Sequence, residues 1–238
     1  MNQVISMHGW CYDSTFWKNW EKHFQSYGWI WKNSERGYGS FKAKSPTWES
    51  NIEKTKSQKK VILCHSLGIH LVPCKTLKEA SDIVLLNSFS RFIPNGQNSR
   101  AIMTALNGMK KHLGKPTENK MLLKFLQKAN EPYKMDSFVQ KSLVQGISSE
   151  GRKQLIEDLS LLINTQKLPN ALSKNARVLV VQGKEDKIVS SITTTQLISD
   201  LRAYMNQAPT QWFIKGEGHV IHLPAIIKKV SNWLEVTK

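Results

Sequence analysis

The chain has 238 residues, of which 40% are hydrophobic and 22% are charged, and its formal net charge is +16 at pH 7. This size and composition predict one globular domain with a single sizeable core, and no apolar stretch approaches the ~20 residues that cross a bilayer. The three cysteines form no CxxC pair and are odd in number, which argues against a disulfide framework and a structural zinc site.

The positive charge attracts polyanions such as nucleic acid, an anionic membrane or an acidic protein. The lysines are scattered in short runs, and no aromatic-basic motif for nucleic-acid recognition accompanies them. The N-terminus lacks the basic segment and the long apolar run of a signal peptide. We therefore expect a cytoplasmic protein that binds neither nucleic acid nor a membrane, and the charge is an indication of its partner only.

The N-terminal segment predicts two strands with a helix between them. An apolar run at Gln3–Met7 ends in His8-Gly9-Trp10, which is typical of a strand followed by a turn that needs the freedom of glycine. Ser14 is placed to cap a helix over residues 15–27, where aromatic side chains recur at helical spacing. A short strand follows at residues 29–31.

An apolar run at residues 61–63 leads directly into the sequence Cys-His-Ser-Leu-Gly at residues 64–68. A serine between small residues after a buried strand is typical of a nucleophile elbow, a tight turn that lifts the hydroxyl clear of the sheet. Gly68 occupies one of the two small positions, and Cys64 occupies the other, where glycine is usual. Ser66 is therefore the candidate nucleophile, and an ordinary strand-to-helix turn is the alternative.

The chain after the serine turn predicts further strands and an inserted helical segment. A strand is predicted at residues 82–87, and its four central residues, 83–86, are all apolar, which suits a central parallel strand covered on both faces. Residues 94–168 contain helical patterns interrupted by proline and glycine, and no convincing strand, which predicts an inserted helical cap. Strands at residues 177–183 and 211–214 then restore the alternation of strand and helix.

We therefore predict an α/β fold with a mostly parallel central sheet of about six strands flanked by helices. One domain, 1–238, comprises a core at residues 1–93 and 169–238 and the helical cap at residues 94–168. Helices are predicted at residues 67–80, 193–205 and 223–236.

A serine hydroxyl needs a base within hydrogen-bonding reach, and the base needs a carboxylate that orients it. Asp186 follows the strand at residues 177–183, with Glu185 as the alternative acid. His219 follows the strand at residues 211–214, and His222 is the alternative base. The carboxyl ends of parallel strands lie at one edge of a sheet, so Ser66, Asp186 and His219 are predicted to form a catalytic triad.

Hydrolysis of an ester also requires two N–H donors for the oxyanion of the tetrahedral intermediate. The backbone amides of Trp10, after the first strand, and Leu67, after the nucleophile, are the candidates. The remaining histidines lack carboxylate or cysteine ligands at a spacing that would hold a metal, so we expect no metal and no cofactor.

These motifs resemble those of the α/β-hydrolase superfamily over nearly the whole chain. Within it, the chain is similar to the esterases of biotin synthesis that demethylate pimeloyl-acyl-carrier-protein methyl ester. The similar segments are His8-Gly9-Trp10, Gly37-Tyr38-Gly39-Ser40, Ser66-Leu67-Gly68, Lys124-Phe125-Leu126, Asp158-Leu159, Asp186 with Ile188-Val189, and His219. The chain departs from the family pattern at Cys64, His65 and Ile69.

The resemblance implies a carboxylesterase that releases methanol from a pimeloyl chain attached to an acidic acyl carrier protein. It implies that Lys120, Lys124 and Lys141 of the cap contact the carrier protein, although a solvated helix face is equally compatible with these lysines. It implies an acyl channel lined by Phe125 and Phe138, which alternatively pack the cap onto the sheet. We expect a monomer.

Three other functions remain open from the sequence. They are a general esterase or thioesterase for small acyl groups, a ligand-binding protein without catalysis, and a nucleic-acid-binding protein that uses the net charge. A dehalogenase is excluded because that chemistry needs a carboxylate where Ser66 stands.

Overall fold

The computed structural model describes residues 1–49, 58–96, 99–134 and 146–236. Its six strands form one sheet in the order β2-β1-β3-β4-β5-β6, and every neighbouring pair is parallel. The strands are β1 Gln3–Met7, β2 Ile30–Asn33, β3 Lys60–His65, β4 Asp82–Leu86, β5 Arg177–Gly183 and β6 Thr210–Ile214. The predicted α/β fold with a parallel sheet of about six strands is confirmed.

The helices of the described residues are α1 Lys18–Ser26, α2 Cys74–Lys78, α3 Ser99–His112, α4 Glu118–Asn130, α5 Ser149–Asn164, α6 Ser191–Tyr204 and α7 Pro224–Glu235. Helices α3, α4 and α5 lie between β4 and β5 in the chain, within the segment predicted as the cap. None of the helices in these described ranges is both long and apolar enough to cross a membrane.

The continuous apolar runs of the central strands are explained by burial on both faces of the sheet. In β3, Val61 and Leu63 face a core formed with helices α1 and α7, while Ile62 and Cys64 face the core on the opposite side. Successive side chains of a strand point to opposite faces, so a strand covered on both sides has no solvent-facing position that would favour a polar residue.

Two helix predictions were wrong in their bounds. The helix predicted at residues 67–80 is a 3₁₀ helix, Ser66–His70, followed by the separate helix α2. Pro73 precedes α2, and proline disfavours the helical conformation in the residue before it, so one continuous helix does not form. Near the N-terminus, Asp13 rather than Ser14 is the cap, because its carboxylate accepts from the amide of Thr15 at 2.9 Å.

Candidate active site

The turn after β3 holds Ser66 in the left-handed backbone conformation, with φ of 54°. Two glycines make room for this turn. A Cβ on Gly68 would lie 2.6 Å from the carbonyl oxygen of Met7, and a Cβ on Gly9 would lie 2.9 Å from the Cβ of Ser66. The elbow is therefore pressed against the end of β1, and Ser66 is only 5% exposed.

Asp186 and His219 meet at the carboxyl ends of β5 and β6. The Nδ1–H of His219 donates to Oδ2 of Asp186 at 2.9 Å, and the two side chains are 1% and 2% exposed. The other carboxylate oxygen of Asp186 accepts from the amides of Ile188 and Val189, at 2.7 and 2.9 Å. The side chain of Gln182 donates to Oδ2 at 3.1 Å, so the carboxylate is fixed in one orientation toward the imidazole.

The alternative acid and base have other partners. Glu185 accepts from the backbone amide of Gly216 at 2.9 Å, and Nε2 of His222 lies 3.2 Å from the side-chain oxygen of Asn130. Of the two acids and two bases considered from the sequence, the hydrogen-bonded pair is Asp186 with His219.

His65 connects the elbow to the loop that carries His219. Its Nε2–H donates to the backbone carbonyl of His219 at 2.9 Å, and the two rings are 4.7 Å apart. Burial lowers the pKa of His65 well below its usual range, so His65 is neutral at pH 7. The hydrogen bonds described for Ser66 and His219 do not include one between their side chains.

The two candidate oxyanion donors are buried, with Trp10 in the turn after β1 and Leu67 in the elbow itself. Trp10 is 3% exposed and Leu67 is fully buried. The backbone amide of Trp10 donates none of the loop and turn hydrogen bonds among the described residues, and its indole N–H donates to the carbonyl of Leu155 at 2.9 Å. The indole contact attaches the loop after β1 to helix α5.

The predicted cap residues divide into an inner and an outer group. Phe125 on α4 packs edge-to-face against Trp10, with ring centroids 5.0 Å apart. Lys120 and Lys124 lie four residues apart on the same helix and are exposed. Phe138 and Lys141 lie outside the described residues.

A cavity of about 150 Å³ adjoins the loop after Trp10. Its lining includes Tyr12, Tyr38, Phe41 and Leu155, and it does not include Ser66 or His219. The cavity is therefore next to the candidate oxyanion donor rather than over the candidate nucleophile.

Asn87 and Ser88 were missed in the sequence analysis. They follow β4 directly and hydrogen-bond to the loops that carry the three candidate catalytic residues. The only signal in the sequence was a pair of polar residues at the end of a continuously apolar strand.

No family model matches the chain, and no curated protein sequence matches it. Solved structures do. The esterase EaEST from Exiguobacterium antarcticum is 16% identical with a TM-score of 0.73, covering 99% of this chain and 92% of that chain. The esterase RhEst1 from Rhodococcus sp. ECU1013 is 17% identical with a TM-score of 0.64, covering 100% and 91%.

A third similar structure is bromoperoxidase from Bacillus anthracis, which is 13% identical with a TM-score of 0.68 and covers 98% of this chain and 91% of that chain. At these identities the likeness extends to the fold alone. Together with the parallel six-stranded sheet, the helices on both faces and the strained serine turn after β3, it shows that this chain has the α/β-hydrolase fold.

Proposed function

We propose that the protein is a serine carboxylesterase in which Ser66 is the nucleophile, His219 the general base and Asp186 the residue that orients it. The observation that carries this proposal is the 2.9 Å hydrogen bond between His219 and Asp186, at the same sheet edge as a serine held at a φ of 54°. A buried imidazole with its Nδ1–H fixed on a carboxylate has its Nε2 available to accept a proton.

In this mechanism the oxygen of Ser66 attacks the ester carbonyl while His219 takes the hydroxyl proton. The backbone amides of Trp10 and Leu67 donate to the resulting oxyanion. His219 then protonates the leaving alcohol, and water hydrolyses the acyl-enzyme by the same steps in reverse. The bond from Ser66 to His219 forms in the complex with substrate, since such contacts are often long in the free enzyme.

For the substrate we propose the methyl ester of a pimeloyl chain carried by an acyl carrier protein, with methanol as the leaving group. Helix α4 supports this assignment. Its outer side presents Lys120 and Lys124 to solvent, and Phe125 on the same helix contacts Trp10. An acidic carrier held at the two lysines would therefore lie one helix away from the candidate oxyanion donor, and the net charge of +16 favours its approach.

Hydrolysis of free small acyl esters or thioesters is the second candidate function. It is favoured by the closed site, because Ser66 is 5% exposed and the neighbouring cavity measures only about 150 Å³. The likeness to the solved esterases extends only to the fold, so it favours neither of the two substrates.

The two candidates are separated by charge reversal on helix α4. We expect the double variant Lys120→Glu/Lys124→Glu to lose ~10-fold in kcat/KM on the carrier-linked methyl ester, because the lysines accelerate association with an acidic partner. Its activity on a p-nitrophenyl ester should be unchanged. The matched control is Lys75→Glu/Lys78→Glu, which makes the same charge change on the exposed side of helix α2.

Added salt supplies the second measurement. The wild-type kcat/KM on the carrier-linked ester should fall as salt rises from low to physiological ionic strength, while that on the neutral ester should not. Equal losses in the two double variants, or the absence of any salt dependence, would return the assignment to free small esters.

A further inference from the structure

Two residues directly after β4, Asn87 and Ser88, hydrogen-bond to all three loops that carry the proposed triad. Both are fully buried. Asn87 has a left-handed φ of 47°, and its backbone amide donates to the carbonyl of Val181 at 2.9 Å, so its position is fixed as a continuation of the β4–β5 pairing. The left-handed conformation at the end of β4 directs the side chain toward the neighbouring loops.

The side-chain amide of Asn87 joins the acid loop to the histidine loop. Its Nδ2 donates to the carbonyls of Gly218 and His219, at 3.0 and 2.8 Å, and its Oδ1 accepts from the amide of Gly183 at 2.7 Å. Carbonyls only accept and backbone amides only donate, so this orientation of the amide is the one that satisfies all three partners. One side chain thus connects the end of β5, three residues before Asp186, to the backbone of His219.

Ser88 extends the connection to the nucleophile. Its hydroxyl donates to the backbone carbonyl of Ser66 at 2.6 Å. His65 donates to the same His219 carbonyl that Asn87 reaches, at 2.9 Å. The elbow and the histidine loop are therefore connected in two ways, through Ser88 and Asn87 at the end of β4 and through the direct hydrogen bond of His65.

We propose that Asn87 and Ser88 are positioning residues of the esterase, which set the distances among Ser66, Asp186 and His219. This inference rests on the proposed function. A displacement of about 1 Å in a catalytic group typically costs on the order of 100-fold in rate. Rigid positioning matters here because each triad residue is on a different loop, and the sheet alone fixes only the strand ends.

Two substitutions at residue 87 separate the side chain from the backbone. Asn87→Gly keeps the left-handed conformation at no steric cost and removes all three hydrogen bonds. Asn87→Asp keeps the shape and places an oxygen against the carbonyls of Gly218 and His219. We expect both variants to lose roughly 10- to 100-fold in kcat on a p-nitrophenyl ester with little change in KM.

Asn33→Gly is the matched control. Asn33 also ends a strand, β2, and its side chain also makes three hydrogen bonds, to Ser6, Trp31 and Glu21. Its loss should lower the free energy of unfolding and leave kcat near the wild-type value. A general effect of removing a polar network would instead reduce kcat in both asparagine variants.

A spectroscopic measurement reads the positioning without turnover. In protein with ¹⁵N-labelled histidine, the Nδ1–H proton of His219 is identified by its loss in Asp186→Asn. We expect this resonance to shift or disappear in Asn87→Gly and Asn87→Asp, and to stay unchanged in Asn33→Gly. If the residue 87 variants do not fold, Ser88→Ala replaces them in the test. It is a smaller change, and it should also lower kcat.

Variants of Asn87 and Ser88 with a native near-ultraviolet spectrum, a wild-type kcat and an unshifted His219 resonance would overturn the inference. Failure of the proposed function gives a different result. In that case Ser66→Ala would hydrolyse the ester as fast as the wild type, while the His219 resonance would still report whether Asn87 holds the loop.

Discussion

The conformation of Ser66 is the local feature on which the proposed chemistry depends. A non-glycine residue in the left-handed region costs about 1–3 kcal/mol, and it persists only where its surroundings enforce it. Here the enforcing contacts are the close approach of Gly68 to β1 and the hydrogen bond from Ser88 to the Ser66 carbonyl. In a nucleophile elbow this conformation directs the hydroxyl away from the sheet, as the proposed attack on an ester carbonyl requires.

The choice between the two neighbouring acids is testable by substitution. Asp186→Asn should lower kcat by roughly 10³- to 10⁴-fold, because the amide no longer fixes the tautomer of His219 or stabilises its charged form. Glu185→Gln keeps an oxygen for the amide of Gly216 and should leave kcat near the wild-type value. Steady-state kinetics on a p-nitrophenyl ester provide the measurement, and a larger loss in the Glu185 variant would reverse the assignment.

Glu35 provides a pH dependence of stability away from the chemistry. Burial opposes its ionisation, but the hydrogen bond and charge of His8 and the amides of Ser14 and Gly37 outweigh burial and lower the pKa of Glu35 to about 2. A carboxylate whose pKa is lowered by folding stabilises the folded protein fully at pH values above its ordinary pKa, which is 4.5 for Glu35. That stabilisation is lost as the pH falls from 4.5 toward 2.

We therefore expect Glu35→Gln to be less stable than the wild type at neutral pH. The difference should shrink as the pH falls below 4.5, because the wild-type carboxylate then becomes protonated. Urea unfolding midpoints of both proteins at a series of pH values give the measurement. A difference that is constant over the acidic range would show that the charge of Glu35 is not what stabilises the fold.

At the scale of elements, helix α5 is attached to the core through the loop after β2. Arg36 donates to both carboxylate oxygens of Asp158 on α5, at 2.7 and 2.5 Å, and the hydroxyl of Tyr38 donates to the same carboxylate at 2.5 Å. The first turn of α5 lies so close that a Cβ on Gly151 would overlap the carbonyl oxygen of Tyr38. The side chains and the backbone contact together fix the helix beside the loop after β1, to which the indole of Trp10 also joins it.

Gly151→Ala should therefore lower the free energy of unfolding by about 1–3 kcal/mol, the usual cost of overpacking. The control is Gly108→Ala on helix α3, where a Cβ meets nothing within 4 Å. Because glycine is a poor helix former, that change should raise stability by about 0.5–1 kcal/mol. Chemical denaturation of both variants is the test, and changes of the same sign would contradict the close packing of α5.

Over the whole molecule, the sequence predicts the strands and the order of the candidate catalytic residues. It does not predict the hydrogen bonds between loops that are distant in the chain. The six strands were predictable because each is a short apolar run, and their common parallel direction places Ser66, Asp186 and His219 at one edge of the sheet. The helix predicted over residues 67–80 is interrupted before α2, and the local signal of that break is Pro73.

The contacts that organise the site are different in kind. Asn87 reaches Gly183 and His219 across 96 and 132 residues, and Trp10 reaches Leu155 across 145. No local pattern encodes such pairs, because each depends on how two loops from different strands approach each other after the sheet has formed.

The most direct test of the account is covalent labelling with a fluorophosphonate, which reacts with an activated serine. We predict one adduct per chain in the intact mass, located on the peptide that contains Ser66, and no adduct in Ser66→Ala. The circular dichroism spectrum of Ser66→Ala should be that of the wild type. The variant should not hydrolyse the ester. An adduct at another residue, or hydrolysis that persists in Ser66→Ala, would contradict the account.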